Sequence, residues 1–338
     1  MANKWFSSYL SARSQYVSFN GTNSAHQRII YGVPQGSILD PLLFFIYVND
    51  LALMCESVLP IMYADDSNLY KEGSNISEIE SPINVELDKV SKWLKLNKLS
   101  LNINKTHFIL FKRKRKLVDV SPRIYIDEEQ ITQVKDTKFL GVYIDEHLSW
   151  ETHINNISLK IARGIGIMRK ARPFINKATA LQLYYTFVYP YLGYCNIVWG
   201  NAYVSYLTKL VILQKRVVRI IENVAYRSPT FDLFIKLRIM KCQTIYKYQV
   251  GQFIYKYTEK ILPPLFTHIF IQQSSLHSHN TRFSGNFVLC RFLTDLKKRS
   301  FRYHGVLFWN NLDPNIKKCA TLNSFIFNLK KYLIIDNL

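Results

Sequence analysis

The sequence predicts an α+β chain: antiparallel hairpins and helices over residues 1–145, then a mainly helical region over 146–338. Three observations carry this reading. Turn pairs such as Asn20-Gly21 and runs of alternating apolar and polar residues mark short hairpins in the first region. After Trp150 the apolar residues recur at helical spacing. Charge divides at nearly the same place. Residues 1–110 hold nine Lys/Arg against ten Asp/Glu, and residues 111–338 hold thirty-five against fourteen. The net charge of +20 therefore belongs to the later part of the chain and suits a polyanionic partner. A hydrophobic content of 48% over 338 residues places the chain among globular proteins with a sizeable core.

Each element follows in order. "WFSSYLSAR" reads as a short amphipathic helix and "QYVSFNG" as a strand turning at Asn20-Gly21. Gly32 and Gly36 bracket a loop. Ser37 suits the cap of the next helix and Pro41 its first turn. That helix is apolar on most sides through Leu42, Leu43, Ile46, Tyr47 and Leu51, so the expectation is a buried helix. "VLPIMYADDSNLYKEG" reads as strand, turn, strand with Asp65 and Asp66 at the tip. Ile83, Leu87, Val90 and Leu94 stripe the following helix. Leu99, Leu101 and Ile103 then switch to period two, predicting a strand. "DTKFLGVYID" is a second short strand pair with Gly141 at its bend. Beyond Trp150, Leu207, Leu210, Val211, Val217, Val218 and Ile221 stripe the clearest helix, with Lys215, Arg216 and Arg219 off the stripe.

Several classes are disfavoured. Ala178–Thr208 is free of charge but holds seven tyrosines, Pro190 and several amides, which suits an aromatic packed layer better than a membrane span. Five scattered cysteines without a CxxC argue against a disulfide framework and for free thiols in a reducing compartment, nucleus or cytoplasm. His277, His279 and Cys290 lack the spacing and fourth ligand of a zinc site.

The chemistry concentrates at Asp65-Asp66. A bare Asp pair in a turn is usually a solvated turn. Here it ends an apolar strand, follows small Ala64, and stands close behind a glycine loop and an apolar helix. Two carboxylates fixed at one point are what metal-assisted phosphoryl transfer needs.

At this point the sequence resembles the reverse transcriptases of non-LTR (LINE-like) retrotransposons, especially their jockey-type branch. "YGVPQGSILDPLLFFIYVNDL" is similar to that family's loop-and-helix block, "YADDS" to its metal box, "WLKLNKLSLNINKT" to the helix-plus-strand block after it, and "KFLGVYID" to the block leading to the primer grip. "LYYTFVYPYLGYCNIVWGN", "LQKRVVRII" and "RYHGVLFWNNL" resemble segments that follow the polymerase, so the likeness runs along nearly the whole chain.

The resemblance implies a partial polymerase palm over 1–145 and a helical, thumb-like region over 146–338. It implies RNA-directed DNA polymerase activity with Mg²⁺, an RNA template, a DNA primer and deoxynucleotides. By position, Asp65 and Asp66 would be metal ligands and Lys105 a candidate general acid near the pyrophosphate. Pro34, Gln35, Gly36 and Ser37 would line the nucleotide and template pocket, and Phe139, Leu140 and Gly141 would hold the primer end. The run Lys112, Arg113, Lys114, Arg115, Lys116 reads as a phosphate-gripping hairpin, a nuclear localisation signal or a solvated face. Lys215, Arg216 and Arg219 are candidate backbone contacts. Two departures stand out. Asp40 occupies a position where the family has glycine. The family's other catalytic aspartate lies upstream of the block matched by "WFSSYLSARSQYV", so the expectation is an N-terminally truncated enzyme, inactive alone unless a missing N-terminal part joins it. The alternative is a non-catalytic nucleic-acid-binding remnant or co-opted fragment.

Overall fold

The computed structural model describes residues 2–30, 32–33, 36–113, 121–275 and 286–335. The chain divides into two compact units: Met1–Phe108 with Leu117–Gln133, and Ile109–Lys116 with Val134–Leu338. The chain thus crosses between the units at 108/109, 116/117 and 133/134. The Asp136–Asp145 hairpin goes with the second unit.

The first unit is built from two-stranded ladders and helices. A helix over Ala2–Leu10 is followed by nested antiparallel pairs, Ser14–Gln15 with Gln27–Arg28 and Ser18–Phe19 with Thr22–Asn23. Asn20 (φ 48°) and Gly21 (φ 79°) make the predicted turn, with both central residues left-handed as a tight hairpin requires. The Asp40–Val48 helix carries Pro41 in its first turn. It is not the buried helix its composition predicts: Leu42, Phe45, Ile46 and Tyr47 are exposed, and only Asp40 and Val48 are buried. The predicted acidic hairpin pairs Leu59–Tyr63 with Asp66–Tyr70.

The Ser77–Leu96 helix lays Leu87 against Ile124, Ile126 and Ile131, and Trp93 against Val48 and Leu51, with Ile83, Val90 and Leu94 packed around them. Its Glu86 is buried. The carboxylate accepts the Glu56 and Ser57 amides and the Ser57 hydroxyl and pairs with Lys89 at 3.2 Å. Burial disfavours its charge, but these donors win and hold its pKa below the ordinary range. The strand expected over Leu99–Ile103 does not form. The Asn102 side chain accepts the Lys105 amide and winds Ile103–Lys105 into a 3₁₀ turn, leaving only His107–Phe108 as strand.

The second unit opens with the hairpin of Asp136–Phe139 and Val142–Asp145. Asp145 then closes the connection: its carboxylate accepts amides from His147, Ser149 and Trp150. The helices Glu151–Ala171, Lys177–Phe187, Tyr189–Gly193 and Val204–Glu222 bury Ile154, Ile161, Tyr184, Leu192, Trp199, Leu210 and Ile221 in one core. The uncharged tyrosine stretch is therefore a packed layer, and among the described residues no helix is long and apolar enough to cross a membrane. The predicted stripe on Val204–Glu222 holds. Leu207, Leu210, Val217, Val218 and Ile221 are buried and Val211 is half-buried.

Gln214 and His153 are among the polar groups buried in this core. The Gln214 Nε2 donates to Tyr184 Oη (3.0 Å) and the Met240 carbonyl (2.8 Å), while its Oε1 accepts the Cys242 amide (2.9 Å). His153 Nδ1 accepts the Tyr143 amide at 3.4 Å, and its ring stands edge-on to Trp199 at 5.1 Å. A second core joins Cys242–Thr258, Phe301–Asn310 and Leu322–Ile335, with Tyr255 stacked on Phe325 at 4.2 Å. All five cysteines are free thiols, and Cys242 is buried.

Candidate active site

The acidic tip is a two-residue turn. Ala64 takes φ 51° and Asp65 completes the turn, while Asp66 opens the return strand opposite Tyr63. Small Ala64 tolerates the left-handed conformation at less steric cost than a branched residue would. Pro60 and Met62 of the incoming strand are half-buried, and Leu59, Ile61 and Tyr63 are exposed. Both carboxylates point from an exposed tip, and neither makes an ion pair or side-chain hydrogen bond among the described residues. Adjacent hard oxygen donors suit a divalent cation. Among the described residues, however, no group of three His, Cys, Asp or Glu side chains is placed to hold one. Two carboxylates by themselves do not make a two-ion site.

The glycine loop is held by residues that the sequence reading passed over. The Ser37 hydroxyl accepts the Leu39 amide (3.1 Å) and meets Tyr9 Oη at 2.6 Å, and Tyr9 Oη donates to Asp40 Oδ1 (3.1 Å). The Arg13 guanidinium donates to the Gly32 carbonyl. Ser37 is therefore not the N-cap expected of it, because Leu39 takes that position and Ser37 braces the approach to it. Asp40 is buried in the first turn of the helix, where the dipole favours an acid, and it is tied to Tyr9. Glycine at 36 answers a conformational need. A Cβ there would meet nothing within 4 Å, but φ is +89°, a conformation other residues rarely adopt. Pro34 and Gln35 lie outside the described residues. Lys105 is exposed in its 3₁₀ turn and makes no ion pair with Asp65 or Asp66.

Phe139, Leu140 and Gly141 fall together at the tip of the second hairpin. Leu140 (φ 44°) and Gly141 (φ 85°) form its turn. Tyr194 seats this tip: its hydroxyl donates to the Leu140 carbonyl at 2.6 Å, and a Cβ on Gly141 would stand 3.2 Å from the Tyr194 ring. Glycine is needed here for both conformation and space. The only advance signal for Tyr194 was its place in the tyrosine-rich stretch.

The basic candidates are unequally free. Lys112 pairs with Glu146 at 3.4 Å, Arg113 is exposed, and Lys114, Arg115 and Lys116 lie outside the described residues. Lys215 is exposed. Arg216 and Arg219 each face the Tyr226 ring at 5.9 Å, and Arg219 Nε also donates to the Ser228 carbonyl, so both brace a loop. His277 and His279 lie outside the described residues.

Residues 1–144 match the reverse transcriptase (RNA-dependent DNA polymerase) family, and the exposed acid pair and the glycine loop both fall inside that span. The curated relatives of this chain are RNA-directed DNA polymerases and Pol polyproteins of mobile elements. It is 27% identical over 241 residues to a probable RNA-directed DNA polymerase from transposon X-element of Drosophila melanogaster, covering 68% of this chain and 26% of that one. It is also 27% identical over 245 residues to the RNA-directed DNA polymerase from mobile element jockey of the same species, covering 69% and 26%. A Pol polyprotein from type-1 retrotransposable element R1 2 of Nasonia vitripennis matches at 27% over 239 residues, covering 65% and 58%. The matched region spans about a quarter of the length of the first two relatives. No solved structure matches the chain significantly. Reverse transcriptases use divalent metal ions and bind a nucleic-acid template and primer.

Proposed function

We propose that this chain is the part of an RNA-directed DNA polymerase that presents metal-binding acids and grips the primer–template. The carrying observation is the exposed Asp65-Asp66 pair at a hairpin tip inside the span matched to reverse transcriptases. In this reading Asp65 and Asp66 ligate Mg²⁺ for addition of deoxynucleotides to a primer 3′ hydroxyl by two-metal phosphoryl transfer. Pro34, Gln35, Gly36 and Ser37 line the nucleotide and template pocket. Phe139, Leu140 and Gly141, seated by Tyr194, hold the primer end, and Lys105 serves the pyrophosphate. The cations of the second unit neutralise backbone phosphates. A third carboxylate comes from a further part of the element's protein, and without it the 338 residues extend no primer.

Primer extension on an RNA template with Mg²⁺ tests this in two arms. The purified chain should incorporate nothing above a control carrying Asp65→Ala and Asp66→Ala. Joined to the upstream polymerase segment of a jockey-type relative, it should incorporate deoxynucleotides, and the same two substitutions should abolish that. Incorporation that survives both substitutions would remove the acid pair from the chemistry.

A second reading, a non-catalytic nucleic-acid-binding remnant, draws support from the lack of a third donor beside the pair among the described residues. Failure of the joined protein to incorporate, with binding intact, would favour it.

A further inference from the structure

We propose that a cavity of about 500 Å³ in the second unit seats an unpaired base of single-stranded nucleic acid. The inference rests on the nucleic-acid reading of that unit. The cavity lies where the Val204–Glu222 helix begins, against Cys242–Thr258, Phe301–Asn310 and Leu322–Ile335. Its volume is within the range of small-ligand sites, roughly 300–1,000 Å³.

The lining chemistry selects the occupant. Tyr246, Phe308 and Tyr332 are among the lining side chains, and aromatic rings stack on any base whatever its sequence. Asn311 offers an amide, which both donates and accepts and so matches a base edge. His304 joins the lining. Burial, then Lys298, keeps its pKa below the ordinary value, so the imidazole is neutral and carries one donor and one acceptor. Lys247, an exposed lining residue, supplies positive charge for the phosphate attached to a seated base. Among the described lining residues there is no Asp or Glu to repel it. A purely apolar ligand would make no use of Asn311 and His304, and a free anion would have no use for the aromatic side chains. A base joined to its phosphate uses both.

The test compares two labelled RNA–DNA duplexes with equal numbers of phosphates, one blunt and one with a single-stranded tail containing 2-aminopurine. Binding to the whole 338-residue chain is read by anisotropy and by 2-aminopurine fluorescence. The tailed duplex should bind about tenfold tighter, in keeping with roughly 1–3 kcal/mol for one stacked base, and its fluorescence should be quenched. Asn311 is exposed, so Asn311→Trp fills the cavity from its surface side. It should erase both the preference and the quenching while blunt-duplex affinity stays unchanged. Tyr332→Leu, which removes one stacking face, should reduce the preference with the melting profile preserved. Equal affinity for the two duplexes, or a tail preference indifferent to both variants, overturns the seat and leaves the phosphate grip standing. Absence of binding to either duplex at low salt overturns the nucleic-acid reading together with the seat.

Discussion

The two units spend their apolar residues differently. In the second unit, Ile154, Ile161, Tyr184, Leu192, Trp199 and Leu210 are wholly buried in one large core, even though Phe174, Leu265 and Leu293 stand exposed on its surface. In the first, the buried clusters reduce to Leu87, Ile124, Ile126 and Ile131 and to Val48, Leu51 and Trp93. Meanwhile Ile38 is 95%, Leu53 80% and Ile46 67% exposed. Exposed apolar surface of this kind would gain from cover. The contrast separates a unit that supplies its own core from one whose apolar face remains available.

Substitutions sharpen that contrast, the largest effect first. Ile161→Ala should destabilise the chain by ~2–5 kcal/mol in urea unfolding, as a cavity in a filled core does. Ile46→Ala should change stability by less than ~0.5 kcal/mol. If the two cost the same, the Asp40–Val48 helix is covered in solution and the contrast fails.

Charge offers the next test, because the surplus of +21 lies in residues 111–338. Affinity for an RNA–DNA duplex should fall about a hundredfold between about 50 and 200 mM salt if about five phosphates are contacted, each adding roughly 0.7–0.9 to the log–log slope. Replacing Lys112, Arg113, Lys114, Arg115 and Lys116 together by Ser should flatten that slope for all sequences alike. A flat response in the unaltered chain would assign the charge to something other than phosphate.

His153 gives the core around Ile154 and Trp199 a pH signature. Burial lowers its pKa from 6.5 to about 4, so the unfolded chain binds this proton first as pH falls. The contribution is fully present above about pH 6.5 and is lost on acidification toward pH 4, at up to ~1.4 kcal/mol per pH unit. His153→Gln should remove that slope, read as urea midpoints across the window. An unchanged slope would mean that the carboxylates alone set the acid limit.

Gln214→Leu should cost ~1–3 kcal/mol, because it strands the Cys242 amide, the Met240 carbonyl and the Tyr184 hydroxyl without a partner. The smallest effect belongs to the acid pair. Asp65→Ala with Asp66→Ala should shift the melting midpoint negligibly, within ~0.5 kcal/mol, since neither carboxylate has a side-chain partner among the described residues. A large loss would make the pair structural.

Local chemistry was legible in the sequence, and distant partners were not. Asn20-Gly21 sits in the turn that its residue types favour, Gly141 supplies the left-handed residue of the second hairpin, and the Leu207–Ile221 stripe faces the core as its period requires. The Asp40–Val48 helix misled because apolar composition states what would gain from cover, not what supplies it. The Leu99–Ile103 strand misled because alternation was outweighed by one side chain, Asn102, bonding its own backbone three residues on. Tyr9 reaches Ser37 across 28 positions and Tyr194 reaches Leu140 across 54, and no local pattern encodes such separations.

The Gln214 side chain also sets how the second unit can move. An advance of one residue along the Val204–Glu222 axis shifts it about 1.5 Å and turns it about a quarter of the way round, breaking all three of its hydrogen bonds at once. Shear between that helix and the segments carrying Tyr184 and Met240–Cys242 is thereby closed off. This helical block travels as a rigid piece. Compliance toward a curved or irregular ligand has to come from its margins, such as the Tyr226 loop braced by Arg216 and Arg219.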